Sequence, residues 1–452
     1  MEEKRSSFTG KIGFVLAAAG SAVGLGNIWR FPYLAAKYGG GIFLLVYILL
    51  SVTFGFSLMV AEIAIGRKTQ LSPIGAYRSL DRRFSFVGVL GAIVPAIILP
   101  YYSVIGGWVL KYAFGFLAGD AAAMAGDGYF GGFVSLVGEP LLWFGVFIGV
   151  TALIVLLGVQ KGIEQVSKVM MPVLIVLMLF IVVYTLCTTD GAWQGVVYYI
   201  KPDFSKFSVM TVVAAMGQLF YSMSLAMGIM ITFGSYMKKG ISIEKSTHQI
   251  EIFDTGIAFL AGLMIVPACY AFSNGDPAAL GQGPGLMFGV LPKVFQNMPG
   301  GTVIGAVFFL MVLLAALTSS ISLMETVVST VQDKWRIERR LCCLLVLGIS
   351  LLLGVPSCLG YSTWAEFKVL GMQVLDFFDF ISNSLIMPVV ALCTAIFVGY
   401  FLKPRAVIEE VELSGPFKQK ALFSVMIRYV APACILLILV SSVLSAFGVV
   451  KI

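Results

Sequence analysis

The sequence predicts an all-α protein built into a membrane, and three observations carry that expectation. Hydrophobic residues make up 59% of the 452 and charged residues only 12%, with a mean hydropathy of +0.98, a balance outside the range of an ordinary soluble domain. Apolar runs long enough to cross about 30 Å of hydrocarbon as helices recur along the whole chain. Lysine and arginine gather in alternate connections between those runs, as in a multi-pass protein.

Eleven transmembrane helices are expected near 12–36, 41–69, 86–117, 140–158, 161–187, 209–236, 243–274, 302–333, 338–357, 368–400 and 424–447. The longest segments between them are roughly 118–139, 188–208, 275–299 and 401–423, so residues 1–452 read as one integral membrane domain with no separate soluble part. Lys4, Arg5, Lys11, Arg67, Lys68, Arg82, Arg83, Lys238, Lys239, Arg339, Arg340, Lys403 and Arg405 all fall at one face, whereas the other has few basic residues, such as Lys201 and Lys293. The positive-inside rule puts the N-terminus in the cytosol, and an odd number of spans puts the C-terminus outside. The net charge of +7 is therefore a topology signal and does not point to nucleic acid. The first span is too long and too well continued for a cleavable signal peptide.

The first span carries the chain's most unusual stretch, AAAGSAVGLGNIWRFPY from Ala17 to Tyr33. It opens as a helix of small residues, loses helix logic at Gly24-Leu25-Gly26, and recovers at Asn27. Broken helices expose backbone groups that lipid cannot satisfy, so a break at membrane depth marks a cavity or a binding site. Gly20-xxx-Gly24 is also a small-xxx-small face of the kind that serves helix packing. A nucleotide loop is excluded, because GLGNIW lacks a third glycine and a strand–turn–helix setting.

The second span carries Glu62, whose cost in a membrane makes it either a structural support or part of an ion path. In the third, Tyr101 and Tyr102 lie mid-span after Pro100, and a buried phenol needs a partner. The sixth span repeats the oddity of the first, with small and hydroxyl residues from Ser222 to Gly228. Interruptions in corresponding halves, five helices apart, point to an inverted-repeat transporter with its site at the midplane. The seventh holds Asp254 among apolar neighbours. The eighth puts Ala315, Thr318 and Ser319 on one face by i, i+3, i+4 spacing. Those hydroxyls either bond back to their own helix or, with freed carbonyls opposite, form an oxygen cage for a hard monovalent cation.

Seven cysteines, at 187, 269, 342, 343, 358, 393 and 434, lack metal or disulfide spacing and read as small core residues. The single histidine, His248, reads as solvated or capping beside Lys245 and Glu251, and a zinc or copper centre is not expected. No nucleophile, acid–base pair or phosphate loop appears, and no enzyme activity is expected.

AAAGSAVGLGNIWRFPY, GQLFYSMSLAMG, DTGIAFLAG, LLAALTSS and LDFFDF together resemble the neurotransmitter:sodium symporter family, in its bacterial amino-acid-transporting branch. The resemblance runs from Arg5 to the tenth helix. It implies the leucine-transporter fold, with inverted five-helix repeats over 12–187 (helices 1–5) and 209–400 (helices 6–10), helices 1 and 6 broken at the midplane, and an eleventh helix at 424–447. It also implies a bacterial cytoplasmic membrane location and two transported Na+ ions, with no organic cofactor. The implied ligands are Ala22, Asn27, Ser222 and Asp254 for the first ion, and Gly20, Val23, Ala315, Thr318 and Ser319 for the second. The substrate carboxylate would meet Leu25, Gly26 and Tyr102, and its ammonium Ala22, Tyr221 and Ser224, with Ser222 nearby. Val23, Ile98, Tyr102, Tyr221, Met227, Ser319 and Leu323 would line a side-chain pocket without charge, fitting a neutral, hydrophobic amino acid. Arg30 with Asp379, and Arg5 with Asp333, would form the two gates.

Asp254 stands where many members of that family have asparagine, beside the place of a chloride that Tyr47, Gln218 and Ser222 would line. A fixed carboxylate supplies the anion's charge, so chloride-independent transport is expected. The place one turn later, Ala258, carries no acid. Two other readings remain at this level: a non-transporting amino-acid sensor on the same scaffold, and a proton-coupled carrier using Asp254 or Glu62.

Overall fold

A computed structural model describes residues 6–273 and 283–446, and they form helices joined by short connections. The helices are α1 Lys11–Ala22, α2 Gly26–Lys37, α3 Gly41–Thr69, α4 Arg82–Ala118, α5 Gly138–Leu156, α6 Val159–Thr188, α7 Val209–Ser222, α8 Ile229–Ser235, α9 Ile243–Phe272, α10 Gly301–Trp335, α11 Arg339–Leu359, α12 Val374–Phe401 and α13 Lys420–Leu444. Among the described residues nine of these are long and apolar enough to cross a membrane, or ten with α1 and α2 taken as one span bent by 55°. The segment expected as the sixth span is the pair α7 and α8, each too short to cross alone, separated by residues 223–228.

Most boundaries fall within a few residues of those expected from hydropathy. The tenth span differs most, beginning at Val374 rather than near 368. Leu370 and Gly371 both take left-handed backbone, at φ of 52° and 78°, and Val369 and Met372 exchange backbone hydrogen bonds across that turn. Between spans the chain adds short helices that hydropathy alone does not separate from loops: Pro73–Leu80, Ala192–Ile200, Leu286–Gln296 and Pro404–Glu412.

Glycine sets how closely the helices approach around the second break. A methyl group added at Gly66 would strike the Ile231 carbonyl, and one added at Gly234 would strike the Ile63 backbone. Glycine on each helix thus presses α8 against α3, the close backbone contact that small residues permit in membranes. The same close approach tolerates no side chain at Gly107, which faces the backbone of Trp143 and Phe144 on α5.

At the base of α3 the basic residue Arg67 does more than mark topology. It is fully buried, and its Nε donates to Glu410 Oε1 at 2.8 Å. Its Nη1 reaches the Ile241 carbonyl at 2.7 Å and Ser414 Oγ at 3.2 Å, and Nη2 bonds the Glu410 carbonyl. One guanidinium therefore ties α3, the segment before α9, and the helix Pro404–Glu412. Removing one partner of a buried ion pair strands the other charge, which typically costs about 3–5 kcal/mol. Arg67→Leu should lower the unfolding temperature in detergent sharply, and Arg67→Leu with Glu410→Leu should recover part of the loss. An unchanged melting temperature in the single variant would show that this clamp carries no stability.

Candidate functional site

The two breaks lie side by side in the middle of the helix bundle. In the first, Val23 turns extended at φ −76°, ψ 104°. The Gly24 N–H then donates to Asn27 Oδ1 at 3.2 Å, so Asn27 caps the backbone that the glycines release. α2 opens on a widened turn in which the Phe31 N–H reaches the Gly26 carbonyl. In the second break, Ser224, Ala226 and Gly228 take left-handed backbone at φ of 53°, 60° and 70°. Ser224 and Ala226 carry side chains there, a strained arrangement that persists only where surroundings impose it.

Those surroundings are specific hydrogen bonds. Glu62, buried on α3, accepts the Ala226 N–H at 2.7 Å, a contact that supports the unwound strand. Ser224 Oγ donates to the Ser21 carbonyl at 3.0 Å and accepts from Ser21 Oγ at 3.1 Å, joining the breaks directly. Gln218 donates from Nε2 to the Gly26 carbonyl at 3.0 Å.

Beside this junction four of the singled-out polar residues meet. Asp254 has no solvent exposure. Its Oδ1 accepts from Asn27 Nδ2 at 2.7 Å, and its Oδ2 from the Tyr47 hydroxyl at 3.1 Å and Ser222 Oγ at 3.2 Å. The Tyr47 and Ser222 hydroxyl oxygens lie 2.7 Å apart.

On the other side of α1, Ser319 Oγ lies 3.2 Å from the Val23 carbonyl, 3.1 Å from that of Ser21 and 3.5 Å from that of Gly20. Thr318 Oγ1 bonds back to the Ala315 carbonyl at 3.0 Å. A methyl group at Gly20 would sit 3.2 Å from Thr318 Cβ. Thr318 bonds within its helix, the first of the two expected roles, and Ser319 reaches the freed carbonyls of α1. Ser319 thus brings the Gly20 and Val23 carbonyls to one hydroxyl, while Thr318 and Ala315 pair one turn apart on α10.

Between the two clusters is a cavity. Of the substrate contacts expected from sequence, Ala22, Leu25, Gly26 and Ile98 line it, as do Tyr102, Tyr221, Ser224, Met227, Ser319 and Leu323. Two do not: the Val23 carbonyl is turned to Ser319 and the Ser222 hydroxyl to Tyr47 and Asp254. Ser21, Gly24, Asn27, Ile229 and Asn383 are additional lining residues, and among the described residues no charged side chain lines it. Of the tyrosine pair, Tyr102 faces the cavity, its hydroxyl 3.5 Å from the Leu25 N–H. Tyr101 turns away and donates to Asp379 at 3.1 Å.

The expected gate residues are placed differently from one another. Arg30 and Asp379 are not joined by an ion pair: the Arg30 guanidinium lies over the Tyr221 ring at 5.3 Å, and Asp379 bonds Tyr101 and Asn383. Arg5 lies outside the described residues, and Asp333 accepts the Ser72 N–H at 2.7 Å. His248 is partly exposed, stacked on Phe56 and bonded to Glu251 at 3.0 Å.

Two helices unwound at one depth, a cavity between them and oxygens clustered on either side define a carrier of small solutes; the fold and site are those of a secondary transporter and not of an enzyme. The chain belongs to the sodium:neurotransmitter symporter family, whose model matches residues 5–122 and 134–449. It is 35% identical over 445 residues to the uncharacterized sodium-dependent transporter YhdH of Bacillus subtilis (strain 168), covering 97% of both chains. It is 32% identical over 459 residues to an uncharacterized sodium-dependent transporter of Haemophilus influenzae, covering 97% of this chain and 98% of that one. Among solved structures it resembles MhsT in complex with L-phenylalanine, with a TM-score of 0.88, 35% identity, and coverage of 97% of this chain and 100% of that one.

The Glu62 contact is testable on its own. Glu62→Leu leaves the Ala226 N–H unpaired in a dry setting, at a cost of about 1–3 kcal/mol. The leucine variant should melt at a lower temperature in detergent, whereas Glu62→Gln, which keeps an acceptor, should stay near the parent. Equal stability of parent and leucine variant would remove Glu62 from the support of the break.

Proposed function

We propose that this chain is a sodium-coupled symporter that imports a neutral, hydrophobic amino acid, aliphatic or aromatic, by alternating access and without chloride. The observation that carries this reading is the cavity between the breaks: one pole is polar backbone and hydroxyl, the other apolar, and no charged side chain lines it. The start of α2 offers the Leu25 and Gly26 N–H groups with the favourable end of a helix dipole for a carboxylate, and Tyr102 adds a hydroxyl. Carbonyls of Ala22 and Tyr221 and the Ser224 hydroxyl suit an ammonium group. Ile98, Met227 and Leu323 suit an apolar side chain. The L-phenylalanine bound to MhsT, a protein of the same fold and 35% identity, accords with that assignment.

Two sodium ions are transported with the substrate. Ala22, Asn27, Ser222 and Asp254, completed by the substrate carboxylate, hold the first, which couples ion to amino acid. Gly20, Val23, Ala315, Thr318 and Ser319 hold the second, an oxygen-only shell that suits a hard cation. Asp254 replaces chloride, because the Tyr47 and Ser222 hydroxyls that would bind the anion already donate to its carboxylate. The breaks are equivalents in inverted repeats over 12–187 and 209–400, the protein sits in a bacterial cytoplasmic membrane with its N-terminus in the cytosol, and Arg30 and Asp379 close over Tyr221 to occlude the cavity.

The driving force suffices. One sodium entering down about 100 mV releases roughly 2.3 kcal/mol, and a tenfold gradient adds about 1.4 kcal/mol. Two ions supply roughly 7 kcal/mol, enough for accumulation on the order of 10⁵-fold.

Uptake of radiolabelled neutral amino acids into chloride-free proteoliposomes should require an inward sodium gradient and fail with an equal potassium gradient. Uptake in potassium alone would overturn sodium coupling, and no uptake despite binding would favour a sensor. Thr318→Ala with Ser319→Ala should raise the sodium concentration needed for half-maximal uptake by about tenfold or more, since charge-assisted contacts are each worth about 1.5–3 kcal/mol. Asp254→Asn should make uptake depend on chloride; uptake by that variant indifferent to chloride would remove Asp254 from the anion's place.

A further inference from the structure

Among the described residues that line the cavity, Asn383 carries a buried side-chain polar atom without a hydrogen-bond partner. Asn383 lies on α12 one turn beyond Asp379. Its Nδ2 donates to Asp379 Oδ1 at 2.7 Å and to the Tyr101 hydroxyl at 2.9 Å. A carboxylate can only accept, so these contacts fix which way the amide is turned. Oδ1 is thereby directed away from Asp379; it is buried, has no hydrogen-bond partner, and belongs to a residue that lines the cavity.

Backbone recognition does not need it. With the cavity read as an amino-acid site, Leu25, Gly26 and Tyr102 serve the carboxylate, and Ala22, Tyr221 and Ser224 serve the ammonium. The Asn383 oxygen is surplus to both, in a cavity whose lining also includes Ile98, Met227 and Leu323. A buried acceptor without a donor is costly. A substrate that brings the donor removes the cost, and one that does not leaves it in place, which is how a polar group in an apolar pocket discriminates.

We propose that Asn383 determines specificity: its amide oxygen accepts a hydrogen bond from the substrate's ring, so that the transporter prefers a neutral aromatic amino acid with a ring donor. The donor is the phenol of tyrosine or the indole N–H of tryptophan. Phenylalanine and the aliphatic amino acids enter the same pocket but leave the oxygen unpaired. The inference rests on the amino-acid reading of the cavity and sharpens it to a substrate class. Asp379 and Tyr101 act as positioning residues, because they hold the amide nitrogen and leave its oxygen without a partner.

The test is equilibrium binding to the purified full chain in sodium, by calorimetry, for L-tyrosine, L-tryptophan, L-phenylalanine and 4-fluoro-L-phenylalanine. The fluoro analogue fills nearly the space of tyrosine but has no ring proton to donate. Tyrosine or tryptophan should bind about tenfold or more tighter than both analogues without a donor. In Asn383→Leu that preference should fall to within about threefold. Equal affinity of the parent for tyrosine, tryptophan, phenylalanine and the fluoro analogue would overturn the proposal. So would an equal loss for all four in Asn383→Leu, which would assign the residue to the gate instead. Should the variant not fold, the comparison within the parent decides. Binding of phenylalanine without a preference for the ring donors sinks this inference alone, whereas binding of no amino acid sinks the amino-acid reading with it.

Discussion

Backbone amides and carbonyls cannot be left unpaired in hydrocarbon, and the organisation of this protein follows from where it breaks that rule and how it compensates. Each break is held by side chains from other helices. Glu62 takes the Ala226 N–H, Gln218 holds the Gly26 carbonyl, and Ser319 donates to the carbonyls that α1 releases. The two breaks also hold each other through Ser21 and Ser224. A strained second break, with Ser224 and Ala226 in left-handed backbone, is stable only because so many partners meet there. The unused directions of these groups face a cavity, which is what makes the breaks a site and not a defect.

Charge is kept to the flanks of that site. Asp254 lies in a shell of three donors from Asn27, Tyr47 and Ser222, beside the cavity and not in its wall. Arg30 lies over the Tyr221 ring, whereas Asp379 bonds Tyr101 and Asn383. Toward the N-terminal face the packing is tighter. Phe8 sits edge-on to Phe14, Phe233 and Tyr236, and Glu164 accepts the Thr9 N–H at 2.8 Å while pairing with Lys168 at 2.7 Å. Tyr236 donates to Glu325, which pairs with Arg339.

Much of this was legible in the sequence because lipid imposes a long apolar period, and because glycine, asparagine and serine clustered at membrane depth serve little besides close packing and the pairing of polar groups. The breaks, Asp254 and the face shared by Thr318 and Ser319 were visible for that reason. What escaped are contacts between residues distant in sequence. Arg67 read as a topology charge, yet it is buried against Glu410, 343 residues away. Glu62 could not be assigned until Ala226 lay beside it. Asn383 gave only one signal, its i, i+4 spacing from Asp379, which two polar residues on a helix often share without meaning. Val23 and Ser222 were expected in the pocket wall, but the direction in which each group points depends on the local unwinding, which no residue pattern specifies.

The central claim is that the unwound backbone of both helices binds ions and amino acid together. A structure determined with sodium and a bound amino acid, at a resolution that reveals single ions, tests it most directly. It should show the ligand between residues 22–26 and 221–227, one ion touching the ligand carboxylate beside Asp254, and a second between α1 and Ser319. A ligand bound elsewhere, or either break refolded into continuous helix with the ligand in place, would contradict it.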